Sequence, residues 1–301
     1  MTNKIKIPKF GLNRHNKKSV AEFAADVLRA EHLGWDCAFL PDSQLSSRDT
    51  YVLLAAAAQA TKTITLGTLL VNPVNRHPSV TASSISTVAE LAPGRTVLAM
   101  GAGDTSVRLV GLKPAKIKEL ESSVNLIKSL LNGEDVEVGS ALPAYLEFAQ
   151  QVPVWIAAGG PKTLEMAGAC ADGVFIRAGT DVKNIELSVN KIREGAEKAG
   201  KNPSSVKIGA VFHTVFSENE EEALLMGKSM AAGYYEYSPM LINNLELGWN
   251  GDHPDELKSK GLVWPDFHHS KNLVDSGKAV DFLSEKHADA FSLRGGPNQI
   301  A

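Results

Sequence analysis

Thr63–Ser106 reads TITLGTLLVNPVNRHPSVTASSISTVAELAPGRTVLAMGAGDTS. Its β-branched apolar run Ile64–Leu70 predicts a buried strand. Asn72-Pro73 and His77-Pro78 then interrupt the chain, because a residue before proline is pushed out of helical geometry. Apolar residues recur at Val80, Ile85, Val88 and Leu91 with small residues between them, the stripe of a helix over 79–91. Pro93-Gly94 closes that helix, and Arg95–Met100 (RTVLAM) predicts a second strand running into Gly101-Ala102-Gly103-Asp104. The stretch is one β-loop-α-β unit whose strands both end in irregular loops. In parallel α/β proteins, ligands bind at the carboxyl ends of strands.

The same alternation extends outward. Upstream lie a strand Lys6–Leu12 interrupted by Pro8 and followed by Asn13, Arg14 and His15, and a helix Lys18–Leu33 closed by Gly34. Asp36–Leu40 (DCAFL) is the next strand, ending in Pro41-Asp42-Ser43, and Thr50–Ala60 an alanine-rich helix. Downstream, a helix Ala115–Leu131 and a surface hairpin or loop over 134–148 lead to the strand Val152–Ala158. Gly159-Gly160-Pro161 then opens the helix Lys162–Cys170, followed by a strand Gly173–Ile176 and a helix Val182–Ala199. A strand Val206–Phe216, helices Glu218–Ala231 and Ser276–Lys286, and a last strand Ala290–Leu293 complete the pattern. Eight strands alternating with helices, without a compositional break, predict an α/β fold: a (β/α)8 TIM barrel forming a single domain over 1–301. An open doubly wound sheet is the alternative if the first and last strands fail.

Two segments break the pattern. Ala232–Lys271 is a long insertion before the last strand, longer than ordinary connections, and carries Tyr234, Tyr235, Tyr237, Trp249, Trp264, His253, His268 and His269. It is either a helical excursion packed on the barrel or another subunit, or a lid and substrate wall. At the other extreme, Gly295-Gly296-Pro297-Asn298-Gln299 reads as a helix beginning rather than ending. A barrel needs a helix over its eighth strand, so this reading predicts a C-terminal truncation.

Composition narrows the function. The chain has 301 residues, 44% hydrophobic and 22% charged, with a net charge of −3, which gives no basic footprint for nucleic acid. Cys37 and Cys170 lack metal spacing and read as reduced residues of a cytoplasmic protein. MTNKIKIPKFG has no apolar signal core, and no run approaches the roughly 18 apolar residues of a membrane span.

The chemistry-bearing residues cluster at predicted strand ends. Gly159-Gly160-Pro161-Lys162-Thr163 joins a strand to a helix, where exposed N–H groups bind anions and glycine admits close approach. It suits a phosphate-bearing cofactor, or is simply a tight turn, and no GxGxxG fingerprint occurs. Asp42 and Asp104 each follow a strand, and each either caps the next helix or contributes to a polar site. Asn72-Pro73 is a turn or a support for a flat ligand. His15 and His213 lie near strand ends, where either could be structural or reach the barrel mouth. No metal-ligand cluster, P-loop or Ser-His-Asp order is present, so no metal site is assigned.

Over roughly Phe10–Gly200, LGTLLVNPVNRHPSVTASSISTVAELAPGRTVLAMGAGD together with AAGGPKTLEMAGACADGVFI resembles the luciferase-like superfamily of flavin- and deazaflavin-dependent oxidoreductases. Within it the chain is most similar to the F420-dependent branch, which includes methylenetetrahydromethanopterin reductase. The resemblance implies the (β/α)8 barrel and, by position, a set of site residues. Asp42 stands where the family's strand-two acid contacts the deazaflavin, and Asn72 where a polar residue lies against the ring system. A non-proline cis peptide before it would be Leu69-Leu70. Gly159, Gly160 and Thr163 match the segment that holds the coenzyme's phosphate. Asp104 matches an acid that handles a proton in some members. Ser43 departs from the pattern, because several members have a proton-donating histidine there; His15, His213 or a histidine of the long segment would then take that role. Val107 likewise replaces a polar cofactor contact of some members.

The resemblance therefore implies an F420-dependent oxidoreductase that transfers hydride between the deazaflavin and a small organic substrate of the methylene-pterin or ketone/enone class. An FMN-dependent monooxygenase and a non-catalytic flavin-binding protein are the alternatives, with a structural barrel subunit a third. The expected partners are a small-molecule substrate and a second copy in a homodimer, with neither nucleic acid nor membrane.

Overall fold

The computed structural model describes residues 8–14 and 18–300. They form two compact units, Met1–Ala157 with Cys170–Gly173, and Ala158–Ala169 with Val174–Ala301.

The first unit runs β1 (Gly11–Asn13), α1 (Val20–His32), β2 (Cys37–Leu40), α2 (Thr50–Ala60), β3 (Thr65–Thr68), α3 (Pro78–Leu91), β4 (Thr96–Met100), α4 (Thr105–Arg108), α5 (Ile117–Leu131) and β5 (Val154–Ala158), whose last residue falls in the second unit. Each strand pairs in parallel with its sequence neighbour, with Leu12 opposite Ala38, Phe39 opposite Gly67, Gly67 opposite Val97 and Leu98 opposite Val154. Parallel neighbours need crossover connections, and the helices supply them. Helix starts follow from local chemistry. The Ser19 side chain accepts the Glu22 N–H at 3.2 Å while the Glu22 carboxylate accepts the Ser19 N–H at 2.9 Å, a reciprocal cap on α1. Asp49 accepts the N–H groups of Tyr51 and Val52 and starts α2; Pro78 sits in the first turn of α3. In α5 the buried residues Leu120, Val124, Ile127 and Leu131 fall on one face at helical spacing.

At the opposite end of these strands, the Glu31 carboxylate near the end of α1 accepts the backbone N–H groups of Lys62, Thr63 and Ile64, the last at 2.8 Å. These bonds fix the entry to β3. They outweigh the cost of burial and hold the Glu31 carboxyl down at about 2.

The second unit carries α6 (Pro161–Cys170), β6 (Gly173–Ile176), α7 (Val182–Lys198), a short 3-10 turn (Pro203–Ser205), β7 (Lys207–Ala210), β8 (Thr214–Phe216), α8 (Glu220–Tyr237), α9 (Met240–Asn244), α10 (Pro254–Ser259), α11 (Leu273–Lys278), α12 (Glu285–Phe291), β9 (Leu293–Gly295) and α13 (Pro297–Ile300); Cys170 and Gly173 fall with the first unit. β8 and β9 pair in parallel, with Val215 opposite Arg294.

Several boundaries differ from those read in the sequence. The expected strand Val206–Phe216 is two strands, because the chain changes partner: Val211 N–H donates to Ile176 O, whereas Leu293 N–H donates to His213 O. The last strand begins at Leu293 instead of Ala290, since Ala290 and Phe291 complete α12 and bury the whole Phe291 side chain. The expected helix Ser276–Lys286 is likewise two helices, with Ser284 starting the second: His287 Nδ1 accepts the Ser284 N–H at 3.2 Å. The helix expected to stop at Ala231 continues to Tyr237, so residues 232–237 are helical and α9 and α10 follow. The first strand is shorter than expected, and residues 6–7 of that reading lie outside the described residues.

Among the described residues, no helix is long and apolar enough to cross a membrane, and no three His, Cys, Asp or Glu side chains are grouped to hold a metal ion.

Candidate functional site

In the first unit the loops following β2, β3 and β4 are tied together by side chains. Asn75 Nδ2 donates to Gln44 Oε1 at 3.1 Å, and Gln44 Nε2 donates to the Ser106 carbonyl at 3.1 Å. Asn72 Nδ2 donates to Ser106 Oγ at 3.3 Å, while its Oδ1 accepts the N–H groups of Val74 and Asn75. Asn72 is thus buried at 2% exposure and orders its own turn while reaching the next loop.

Between β3 and this turn the Leu69–Leu70 peptide is cis. The backbone around it is pinned on both sides. Leu69 N–H donates to Leu40 O at 2.7 Å, Asp42 N–H to Leu70 O at 3.2 Å, and Val71 N–H to Ala99 O at 3.0 Å. Before the bulge, the Thr68 hydroxyl donates to Ala99 O at 2.8 Å and accepts the Ala99 N–H at 2.9 Å, standing in for a ladder bond. Gly101 makes room for the result, because a Cβ there would lie 2.8 Å from Leu70 Cδ2.

Asp42 is buried at the end of β2, with Oδ2 3.3 Å from Arg76 Nε; Arg76 Nη2 lies 2.6 Å from Asp49 Oδ2. The Arg76 guanidinium also stacks over the Tyr51 ring at 5.2 Å. Burial, reinforced by the Asp42 charge, pushes the Tyr51 hydroxyl up and keeps it protonated. Ser43 is buried beside Asp42, and its Oγ takes a 2.8 Å hydrogen bond from Ser46 Oγ. Asp104 occupies the position before α4 without a capping bond; Arg108 Nε donates to its Oδ1 at 3.3 Å. Val107 is fully buried behind it. The first unit therefore brings Asp42, Ser43, Leu69, Leu70, Asn72 and Asp104 to the carboxyl ends of three neighbouring strands. His15 lies outside the described residues.

In the second unit, Gly159-Gly160 leads into α6, a helix of 10 residues. A Cβ at Gly159 would lie 2.5 Å from the Arg177 carbonyl oxygen, so only glycine lets this turn pass the end of β6. A Cβ at Gly160 would meet nothing within 4 Å, so the backbone there faces open space at the helix start. Thr163 follows in the first turn, half-buried.

A second cluster lies at the ends of β6 and β7; it joins His213, Tyr234 and His268, which the sequence singled out, to Arg177, which sequence reading missed. Arg177 directly follows β6; its Nη2 lies 2.8 Å from His268 Nδ1, and its guanidinium is 5.7 Å from the Tyr234 ring centre. The His213 and His268 rings stack at 4.6 Å, and His213 Nδ1 lies 3.1 Å from the Tyr234 hydroxyl. His213 is pulled down to about 3, chiefly by burial and then by the charge of Arg177, and His268 is held well below the usual imidazole range for the same reasons. Burial also keeps Tyr234 protonated. Next to this cluster, Asp266 is buried and accepts from the His269 backbone N–H at 2.9 Å, with His269 Nδ1 also 2.9 Å from Oδ1. The available signal was Arg177 itself, a charge placed immediately after the apolar run GVFI, as Asp42 follows CAFLP.

The family model described as "Luciferase-like monooxygenase" matches residues 6–301. 5,10-methylenetetrahydromethanopterin reductase of Methanolobus tindarius is 33% identical over 223 residues, covering 71% of this chain and 67% of the relative. F420-dependent glucose-6-phosphate dehydrogenase of Amycolatopsis mediterranei is 30% identical over 232 residues, covering 69% and 68%. Among solved structures, the coenzyme F420 dependent tetrahydromethanopterin reductase from Methanopyrus kandleri superposes with a TM-score of 0.78 at 24% identity, over 97% of this chain and 87% of the other.

Proposed function

The chain belongs to the luciferase-like monooxygenase family, and we propose that it is an F420-dependent oxidoreductase. The coenzyme supplies the hydride chemistry, and the protein supplies binding, orientation and electrostatics. The substrate is a small organic molecule of the methylene-pterin or ketone/enone class.

The observation that carries the site assignment is the set of side-chain bonds that ties the loops after β2, β3 and β4 together around the buried Asp42 and Asn72. In this reading Leu69 and Leu70 back one face of the deazaflavin, Asn72 lies against its ring, and Asp42 contacts it from β2. Arg76 holds Asp42 in one orientation. The backbone at Gly159 and Gly160 and the side chain of Thr163 take the coenzyme's phosphate, using N–H groups at the start of α6. Asp104 holds or moves a proton at the substrate. Ser43 is a poor acid at neutral pH and serves as a hydrogen-bonding neighbour rather than a proton donor.

The finer fold reading belongs to the same proposal: a (β/α)8 barrel forming one domain over 1–301, with 232–271 inserted before the last strand as a substrate wall. The enzyme acts in the cytoplasm, a reading that rests on its reduced cysteines, and as a homodimer, as its resemblance to the family implies.

Side-by-side titration with F420 and FMN, read by fluorescence, tests this reading. Micromolar or tighter binding of F420 over FMN, weakened at least about ten-fold by Gly160→Asp, is the expected result. Gly160 borders open space, so the variant keeps its fold. A preference for FMN, with oxygen consumed on reduction, would move the chain to monooxygenase chemistry. Binding of neither by folded protein would remove both.

A further inference from the structure

Resting on that reading, we propose that Arg177 is the anion-binding residue of the substrate site, so that the substrate carries a carboxylate or a phosphate. The other enclosed arginines of the molecule are all satisfied. Arg76 is neutralised by Asp42 and Asp49, and Arg294 by Glu285 and Asp289. Arg95 spends its N–H groups on the backbone carbonyls of Ile64 and Thr61. Arg177 is half-buried too, yet among the described residues no carboxylate lies within ion-pair distance of it.

The groups that touch it are neutral, and the nearby Asp266 carboxylate is engaged by His269. His268 Nδ1 accepts from Nη2 at 2.8 Å, the Tyr234 ring lies beneath, and the stacked His213 carries no charge at neutral pH. A guanidinium presents five N–H donors in one plane, more than one imidazole nitrogen and one phenol can take. The positive charge is therefore held in place by groups that orient it without cancelling it. Burial is the main reason that His213 and His268 stay unprotonated, and Arg177 is the leading charge that adds to it. A planar fork of this kind matches carboxylate and phosphate geometry.

Position supports the assignment. Arg177 follows β6 directly, and its N–H donates to Ala158 O at 2.8 Å, so it stands beside the end of β5 where Gly159 begins. Strand carboxyl ends are where such folds place ligands. The adjacent Gly159–Thr163 turn is the proposed seat of the coenzyme's own phosphate, which makes it the competing source of an anion for Arg177. The experiment has to separate the two.

Inorganic phosphate is the probe. It is titrated into the Gly160→Asp protein, in which the coenzyme's anion seat carries a repelling carboxylate, and into the same protein with Arg177→Gln or Arg177→Lys added. The expected result is saturable phosphate binding in Gly160→Asp, at least about ten-fold weaker with Arg177→Gln and partly retained with Arg177→Lys, with unchanged circular dichroism. Absence of phosphate binding in Gly160→Asp, or binding indifferent to Arg177→Gln, overturns the proposal. So does a matching loss of F420 affinity in the Arg177→Gln single variant, which would assign the arginine to the coenzyme. Failure of the unsubstituted protein to bind F420 removes the functional reading instead, and leaves the phosphate result legible by itself.

Discussion

Arg76 and Asp42 form a bridge between the loops after β3 and β2, Nε to Oδ2 at 3.3 Å, with the carboxylate almost wholly enclosed. The second nitrogen of the same guanidinium holds Asp49, the residue that starts α2. One arginine thus fixes a proposed cofactor ligand and a helix start together. Its charge is secured in turn, since the two carboxylates hold its proton more tightly than usual despite partial burial.

Removing that arginine strands a buried carboxylate, the costly way to break an enclosed pair. Arg76→Leu is expected to lower stability by about 3 kcal/mol in urea unfolding. Adding Asp42→Asn to Arg76→Leu should recover a large part of that loss, because no buried charge then remains. If the double variant is less stable than Arg76→Leu alone, the bridge is not what the arginine contributes.

Gly101→Ala separates fold from site. The added methyl would meet Leu70 Cδ2 at 2.8 Å, the far end of a flexible side chain, so the leucine rotates and the core stays closed. The expected thermal shift is small, corresponding to about 1 kcal/mol or less, while F420-linked turnover falls by one to two orders of magnitude (about 10- to 100-fold) through misplacement of the ring support. Wild-type turnover in a correctly folded Gly101→Ala protein would detach Leu70 from the site.

The legible part of this molecule was the part written in local chemistry. Apolar pattern placed the helices over 18–33, 50–60 and 79–91, whose starts the structure assigns to the Ser19–Glu22 pair, Asp49 and Pro78, and the strands that hold the runs CAFL and TVLAM. Asp42, Asn72 and Gly159–Gly160 were singled out because each follows such a run. Arg177 obeys the same rule after GVFI, but its meaning depends on His268, 91 positions away, and no periodicity links the two. The split after Ala210 was hidden for a similar reason. VKIGAVFHTVF is uniformly strand-like, and only the switch from Ile176 to Leu293 as partner divides it. The extension of α8 through Tyr237 was obscured by aromatic residues that read as insertion.

Glu31 gives an acid-sensitive contribution with a definite sign. Its folded pKa, about 2, lies below that of an unfolded glutamate near 4.3, so the stabilisation is fully present above about pH 4.5 and is lost as pH falls towards 2. Glu31→Gln is expected to cost about 1–2 kcal/mol at pH 7. The difference between the two proteins should shrink as pH drops through that window. Parallel stability curves from pH 6 to pH 2 would show that the carboxylate's charge is not what holds residues 62–64.

His213 also loses stability as pH falls, but over a different window. Its folded pKa, about 3, is far below the ordinary imidazole value near 6.5, because burial and the Arg177 charge exclude the proton. The unfolded chain takes that proton as pH falls below about 6.5 while the folded chain does not, so folding stability declines between roughly pH 6.5 and pH 3. The slope from one such group is about 1.4 kcal/mol per pH unit within the window. His213→Asn removes the titration while keeping a polar side chain near the Tyr234 hydroxyl. Its stability at pH 7 should be lower, from lost stacking on His268, but its decline from pH 6.5 to pH 4 should be visibly shallower. His268 remains and supplies a residual slope, since it too is held neutral. Urea unfolding at half-unit pH steps reads both quantities, and an undiminished slope in His213→Asn would mean that the imidazole takes its proton in the folded state after all.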